Sequence, residues 1–237
     1  MEIKMKSRQE EILELIAEAP KSIKQISELL YIGEMTVRRE IKALECEGLV
    51  TKYRGIVART VENSSAAYDI RANLFKSEKA ELAKLASVYL ERGQTVFIDG
   101  STTCMHLLPY VVRSKPSCVI TNSLRLADAL CSAGIATKMV CGEMNAFDKC
   151  VIGCEALTYI GKFNFDIAFL SAKGIKGKKI TDDNSAQTYI RRAVIENSAQ
   201  TVLLMDSSKF DKGYCLTVCT TDEVILVDAK GQQKSNR

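Results

Sequence analysis

A chain of 237 residues is long enough for one large domain, or for a small domain joined to a medium one. With 46% apolar and 26% charged residues it has ordinary globular composition, which excludes disorder throughout, and no apolar run approaches the ~20 residues of a membrane span. A net charge of +4 predicts no nucleic-acid partner unless the cations cluster, so their positions matter more than their sum.

The opening stretch MEIKMKSRQEEILELI is charged and periodic, with neither the apolar core nor the small-residue cleavage site of a signal peptide. Ser7 to Glu18 reads as a helix, with Ile12, Leu15, Ile16 and Ala19 on one face and Pro20 ending it. Ser22 caps a second short helix, Ile23 to Leu30, whose inward face is Ile23, Ile26, Leu29 and Leu30. A turn at Tyr31-Ile32-Gly33 leads into a third helix from Glu34 to Cys46, with Val37, Ile41 and Leu44 on one stripe and Gly48 as its stop. Two short strands follow, Leu49 to Lys52 and Ile56 to Arg59, turning at Arg54-Gly55. Three helices and a small hairpin is the order of a winged helix-turn-helix, assigned to residues 1–60.

From Val61 to Phe75 the pattern weakens around the polar break Asn63-Ser64-Ser65, so 61–75 is read as a linker. Beyond it strands and helices alternate over 76–237. The expected elements are helix Ser77 to Glu91, strand Thr95 to Asp99, helix Thr103 to Val112 and strand Ser117 to Thr121. They continue with helix Ser123 to Ala133, strand Thr137 to Cys141, strand Phe165 to Ala172, helix Ala186 to Asn197 and strand Gln200 to Asp206. A polar loop then leads to strand Glu223 to Val227. Apolar runs such as TVFID, SCVIT and TVLLMD alternating with helices predict an α/β domain with a mostly parallel sheet covered on both faces. The polar tail from Lys230 to Arg237 is expected to fray.

Nine cysteines raise the question of metal or disulfides. None falls in a C-x-x-C pair, and His106 is the single histidine, so no metal site is expected and the thiols are read as buried, reduced, small hydrophobes. With no export signal, that usage points to a reducing cytoplasm.

On the third helix Thr36, Arg38, Arg39 and Lys42 lie off the apolar stripe, where a recognition helix must present donors to bases and phosphates. Arginine reads guanine O6 and N7 with two parallel bonds. Lys52, Arg54 and Arg59 add cations on the hairpin. Between Met35 and Arg59 six basic residues face three acidic ones, an excess placed where contact with duplex DNA is expected. Charge alone would equally describe a solvated helix; the helix order and basic wing favour DNA.

In the second domain, strand TVFID runs from Asp99 into Gly100-Ser101-Thr102-Thr103 and then a helix. A glycine lets an anion approach the backbone, and N–H groups at a helix start attract it. Thr121-Asn122-Ser123 repeats this arrangement, and Asp206-Ser207-Ser208-Lys209-Phe210 follows a third strand with a lysine that could neutralise phosphate. Ligands of open α/β sheets gather at such carboxyl ends. Each motif alone also reads as plain helix capping or a surface loop.

The segment GEMTVRREIKALECEGLVTKYRG resembles the DNA-binding segment of the DeoR family of bacterial regulators, and the resemblance continues through Asp-Gly-Ser-Thr-Thr, Thr-Asn-Ser and Asp-Ser-Ser-Lys-Phe. Two positions depart from the family: Gly33 replaces the usual capping serine, and Gly55-Ile56 replaces a glycine pair in the wing. A glycine cap costs only a few tenths of a kcal/mol against serine.

The resemblance implies a sensor domain folded like sugar-phosphate isomerases and CoA transferases, taking a phosphorylated sugar as effector. It assigns Asp99, Gly100, Ser101, Thr102, Thr103, Thr121, Asn122, Ser123, Lys173, Asp206 and Lys209 to the effector site, with Arg71 and Lys79 as further cations. Gln187 and Tyr189 stand near where the family often has glutamates, and Lys173 where serine is more usual, which favours a more anionic ligand or a different sugar. The protein is thus expected to be a non-enzymatic regulator without a cofactor, a repressor of a sugar-metabolism operon, acting as a homodimer or higher oligomer on operator DNA. Rival readings are a sugar-phosphate isomerase or kinase-like enzyme, for which this sequence offers no conspicuous carboxylate pair and no Walker-type Gly-x-x-x-x-Gly-Lys, and an architectural DNA binder with a degenerate sensor.

Overall fold

The computed structural model describes residues 8–46, 49–53, 55–59, 65–145, 148–228 and 233–234. The chain divides into two compact units: Met1–Leu74 with Ala146–Asp148, and Phe75–Asn145 with Lys149–Arg237.

The first unit contains α1 (Arg8–Glu18), β1 (Lys21–Ser22), α2 (Ile23–Leu30), α3 (Glu34–Cys46), β2 (Val50–Tyr53), β3 (Ile56–Arg59) and α4 (Ser65–Asn73). Ser22 and Gln25 form a reciprocal cap at the start of α2: the Ser22 hydroxyl accepts from the Gln25 N–H and the Gln25 carbonyl from the Ser22 N–H. The Gly33 carbonyl accepts from the N–H groups of Thr36 and Val37, so the glycine starts α3. Ile12, Ile16, Ile23, Ile26, Val37, Ile41, Leu44, Val50 and Val57 fill the core between the three helices and the wing.

Sequence periodicity misplaces three features of this unit. Leu29, expected inside, is 52% exposed, and Ala19 is also exposed. The wing has three strands in the order β1-β3-β2, because Lys21 and Ser22 pair with Val57 and Ile56. The stretch read as linker carries α4, tethered by the buried ring of Tyr68. A helix held by tertiary packing needs no clean apolar stripe.

In the second unit the sheet is built from β4 (Thr95–Ile98), β5 (Cys118–Thr121), β6 (Thr137–Met139), β9 (Phe165–Leu170), β12 (Ser198–Met205) and β14 (Ile225–Asp228), all parallel, with β15 (Gln233–Lys234) antiparallel at one edge. Residues 233–234 of the expected frayed tail are therefore paired. The strand order β15-β14-β12-β9-β4-β5-β6 reverses direction between β4 and β9. In β4, Val96 and Ile98 face one core and Phe97 the other; Ile167 and Phe169 against Ala168 and Leu170 repeat the alternation in β9. Helices α5 (Lys76–Ala86), α6 (Leu108–Ser114) and α7 (Leu124–Ser132) line one face, and α8 (Cys154–Ile160) and α9 (Ser185–Glu196) the other. This is the two-faced burial that continuous apolar strands require.

Several elements were not read from sequence. The hairpin of β7 (Glu143–Asn145) and β8 (Cys150–Ile152) is one; the antiparallel sheet of β10 (Gly174–Lys176), β11 (Lys179–Asp182) and β13 (Leu216–Thr220) is another. The last strand lies inside the expected polar loop. The helix predicted from Ser77 breaks into a tighter 3-10 turn at Ser87–Tyr89, and Thr103 to Val112 begins with another at Cys104–Leu107, ahead of Pro109 in the first turn of α6. The eight cysteines described are free, but only Cys104, Cys150 and Cys219 are buried; Cys118 is half-buried, and Cys131, Cys141, Cys154 and Cys215 are exposed, against the expectation of burial. Cys131 and Cys141 adjoin the buried Leu130 and Val140 in sequence, but successive side chains of a helix or strand point to different sides.

Candidate functional site

In the first unit α3 presents Arg38, Arg39 and Lys42 to solvent, opposite the buried stripe of Val37, Ile41 and Leu44, and Thr36 is half-buried. Arg38 meets Glu34 at 3.3 Å and Arg39 meets Glu40 at 3.7 Å, exposed pairs of the kind that are weak in water. Their guanidinium groups can exchange carboxylate for phosphate at little expense. Lys52 is exposed on β2; Arg54, also expected to touch DNA, lies outside the described residues.

In the second unit the strand order reverses between β4 and β9, and the carboxyl ends of strands at such a reversal are where open α/β sheets hold ligands. Asp99, buried at the end of β4, ties the two strands: its Oδ1 accepts from the Ser101 N–H at 2.9 Å and its Oδ2 from the Ser171 N–H, after β9, at 3.0 Å. The Ser101 hydroxyl accepts from the Cys104 N–H at 3.1 Å. From the β5 end, Asn122 Oδ1 accepts from the Gly100 N–H at 3.0 Å, while its amide donates to the Val151 carbonyl at 3.2 Å. Thr121 donates to the Ile98 carbonyl and accepts from the Ser123 N–H; Ser123 caps α7. A Cβ at Gly100 would stand 2.9 Å from the Cys150 Cβ, so this close approach requires glycine.

The β12 end supplies the cation. Lys209 Nζ donates to Ser171 Oγ at 2.6 Å and to Thr103 Oγ1 at 3.5 Å, and lies 3.5 Å from Asp206 Oδ2. Burial pushes the Lys209 ammonium below the ordinary lysine value, with Asp206 pulling back. For Asp206 burial pushes upward, but Lys209, the Ser208 hydroxyl and Lys79 outweigh it and hold the carboxyl below its usual range. Burial, reinforced by Asp99, raises the Cys104 thiol well above its ordinary value and keeps it neutral.

The structure therefore gathers Asp99, Gly100, Ser101, Thr102, Thr103, Thr121, Asn122, Ser123, Asp206 and Lys209 at one sheet edge. Lys173, in the loop that follows β9, is bonded to both oxygens of Asp183 at 2.5 Å and lies over the Tyr214 ring. Of the two further cations, Lys79 is buried on α5 and donates to Thr102 Oγ1 at 3.2 Å, whereas Arg71 pairs with Asp148 at 2.6 Å within the first unit.

Two participants escaped the sequence reading. Ser171 is the partner through which Lys209 reaches β9. Arg191, on α9, lies 2.7 Å from Asp182 and 3.5 Å from Asp99, clamping the end of β4 to β11. An arginine in a basic pair looks solvated in sequence; only burial at 11% exposure reveals the clamp. Gln187, near where relatives often carry a glutamate, donates its amide to the Cys150 thiol.

Residues 8–62 match the DeoR-like helix-turn-helix domain and residues 75–228 match the DeoR C-terminal sensor domain. The chain belongs to the DeoR family. Among curated relatives, the HTH-type transcriptional regulator GlpR of Haloferax volcanii is 26% identical over 227 residues, covering 94% of this chain and 89% of the relative. The lactose phosphotransferase system repressor of Lactococcus lactis is 29% identical, covering 87% and 84%, and the glycerol-3-phosphate regulon repressor of Escherichia coli is 24% identical, covering 96% and 90%. A ribose 5-phosphate isomerase from Methanocaldococcus jannaschii aligns over 57% of this chain and 55% of its own with TM-score 0.42 and 15% identity. DeoR members are transcriptional regulators rather than enzymes, and this chain carries both of the family's parts, a helix-turn-helix and a sensor. Among the described residues no helix is long and apolar enough to cross a membrane, and no cluster of His, Cys, Asp or Glu is arranged to hold a metal ion.

Proposed function

We propose that this DeoR-family regulator represses a sugar-utilisation operon and that a phosphorylated sugar, bound at the carboxyl edge of the parallel sheet, changes its grip on operator DNA. The observation that carries the reading is the convergence of three strand-end loops on Lys209, which sits among the hydroxyls of Ser171 and Thr103 with Asp206 beside it. A phosphate placed there would meet an ammonium, hydroxyls and the backbone of the Gly100 loop. Asp99 and Asp206 are suited to sugar hydroxyls or to orienting the lysine. The names of the lactose and glycerol-3-phosphate repressors are in keeping with such a ligand.

In the first unit Thr36, Arg38, Arg39, Lys42 and Lys52, with Arg54, serve as the DNA contacts. One winged helix reads one half-site, so the regulator acts as a homodimer or higher oligomer on a two-fold operator. Its free thiols suit the cytoplasm. The binding of effector to one state more than the other shifts operator affinity by roughly 1–3 kcal/mol.

The test is a panel of sugar phosphates titrated against the protein on fluorescent operator DNA, alongside thermal melting. A true effector at 100 times its dissociation constant stabilises the fold by about 2.7 kcal/mol and changes the DNA affinity. The double variant Ser101→Ala with Thr102→Ala keeps DNA binding and loses the response; a surviving response places the phosphate elsewhere.

A further inference from the structure

The DNA-facing side of the first unit is not purely polar. Met35 is 77% exposed and Tyr31 is 94% exposed. At 100° per residue Met35, Arg38, Arg39 and Lys42 occupy positions i, i+3, i+4 and i+7 of α3, a single face opposite the buried stripe. The methionine heads that face, in the first turn, where recognition helices meet base edges.

Tyr31 adds a second anomaly. It ends α2 in the left-handed region at φ +54°, a conformation that disfavours every residue with a Cβ and that helices usually give to glycine. The turn is held around it by the Ile32 N–H on the Ser27 carbonyl and the Ser27 hydroxyl on the Ile32 carbonyl. A strained backbone that carries a fully solvated aromatic ring gains nothing for the fold, and such strain collects at functional positions.

The charges decide what covers this apolar pair. A second copy of the same face would bring Arg38, Arg39 and Lys42 against their own kind, whereas the major groove offers apolar thymine methyl groups between two rails of phosphate. Resting on the DNA-binding reading above, we infer that Met35 packs on the 5-methyl group of a thymine in each operator half-site, and that Tyr31 donates its hydroxyl to a flanking phosphate. Met35 is then a specificity residue, and Tyr31 a positioning residue that carries no sequence information.

The test uses the full-length protein and duplexes recovered by selection from a random pool. Each thymine is replaced singly by uracil, which removes only the methyl group, and affinity is read by fluorescence anisotropy at fixed salt. In the wild type one thymine per half-site is expected to lose about fourfold in affinity on replacement, the worth of one buried methyl. Met35→Ala binds the thymine and uracil duplexes alike. Tyr31→Gly, which relieves the left-handed backbone, leaves the melting temperature unchanged or higher while weakening thymine and uracil duplexes by the same factor. A wild type indifferent to every uracil, or a uracil effect that persists in Met35→Ala, overturns the methyl contact. Undiminished binding by Tyr31→Gly overturns the role given to the tyrosine. If selection returns no sequence, or Arg39→Ala binds as tightly as wild type, the DNA-binding reading itself falls.

Discussion

The two sets of cations in this protein are handled in opposite ways. On α3 the guanidinium groups are solvated and loosely paired with Glu34 and Glu40, ready to trade partners. At the sheet edge Lys209 is enclosed by Ser171, Thr103 and Asp206, and Arg191 by Asp99 and Asp182. An exposed cation steers a polyanion and costs the fold little, whereas an enclosed one is part of the fold and recognises only what fits its ring of acceptors. The contrast suits the two tasks proposed for them, long-range attraction to DNA and selective capture of a small anion.

The widest gap between the two sets is in stability. Lys209→Ala leaves Asp206 buried without its main cation and is expected to cost roughly 3 kcal/mol in urea unfolding. A loss below about 1 kcal/mol would mean that the ring holds nothing and that the enclosure is incidental. The pH dependence sharpens the point. Because the Asp206 carboxyl is held below its ordinary value, its share of stability is complete above the unfolded-state value near 3.8 and disappears as pH falls through the lower folded value. Asp206→Asn should flatten that part of the acid limb.

Gly100→Ala is next in size. Its Cβ would press on the Cys150 Cβ at 2.9 Å, and an overpacked contact of this kind costs about 1–3 kcal/mol. The same change blocks the effector response, which the DNA-release assay reads directly. A variant with wild-type stability would show that the loop has room to shift.

On α3 the expected pattern is reversed. Arg39→Ala weakens operator binding by about 1–3 kcal/mol if it reads a base, or lowers the salt slope by about one unit if it binds phosphate, and stability stays within about 0.5 kcal/mol. A large drop in melting temperature would put this arginine in the class of Lys209 and dissolve the comparison. The smallest effect is expected at Ser22→Ala, which removes one side of the reciprocal cap on α2 for about 1 kcal/mol, measured in the same urea series.

What was legible in sequence follows the same division. The stripe Val37, Ile41, Leu44 and the cations between its members are set by local helical spacing, so α3 and its solvent face could be read residue by residue. The strand-end loops were legible as motifs because hydroxyl residues follow each apolar run, with a glycine ahead of them in the first. Ser171 and Arg191 were not, since a serine after a strand and an arginine on a helix carry no signal of their own. Leu29 shows the limit within a helix: its spacing is right for the core, yet α2 ends where the turn leaves that side uncovered.

By itself the sequence determined α1, α2 and α3 in their order, the capping at Ser22, the winged helix-turn-helix and the parallel strands of the α/β body, because these depend on neighbours within a few positions. The tertiary structure alone decided that Lys209 would meet Thr103 across 106 positions and Ser171 across 38. It also set Lys173 against Asp183 and paired the wing with Lys21 and Ser22. Such meetings depend on strand order and register, and the reversal between β4 and β9 that gathers these strand ends is a property of the whole sheet, held by burial on both its faces.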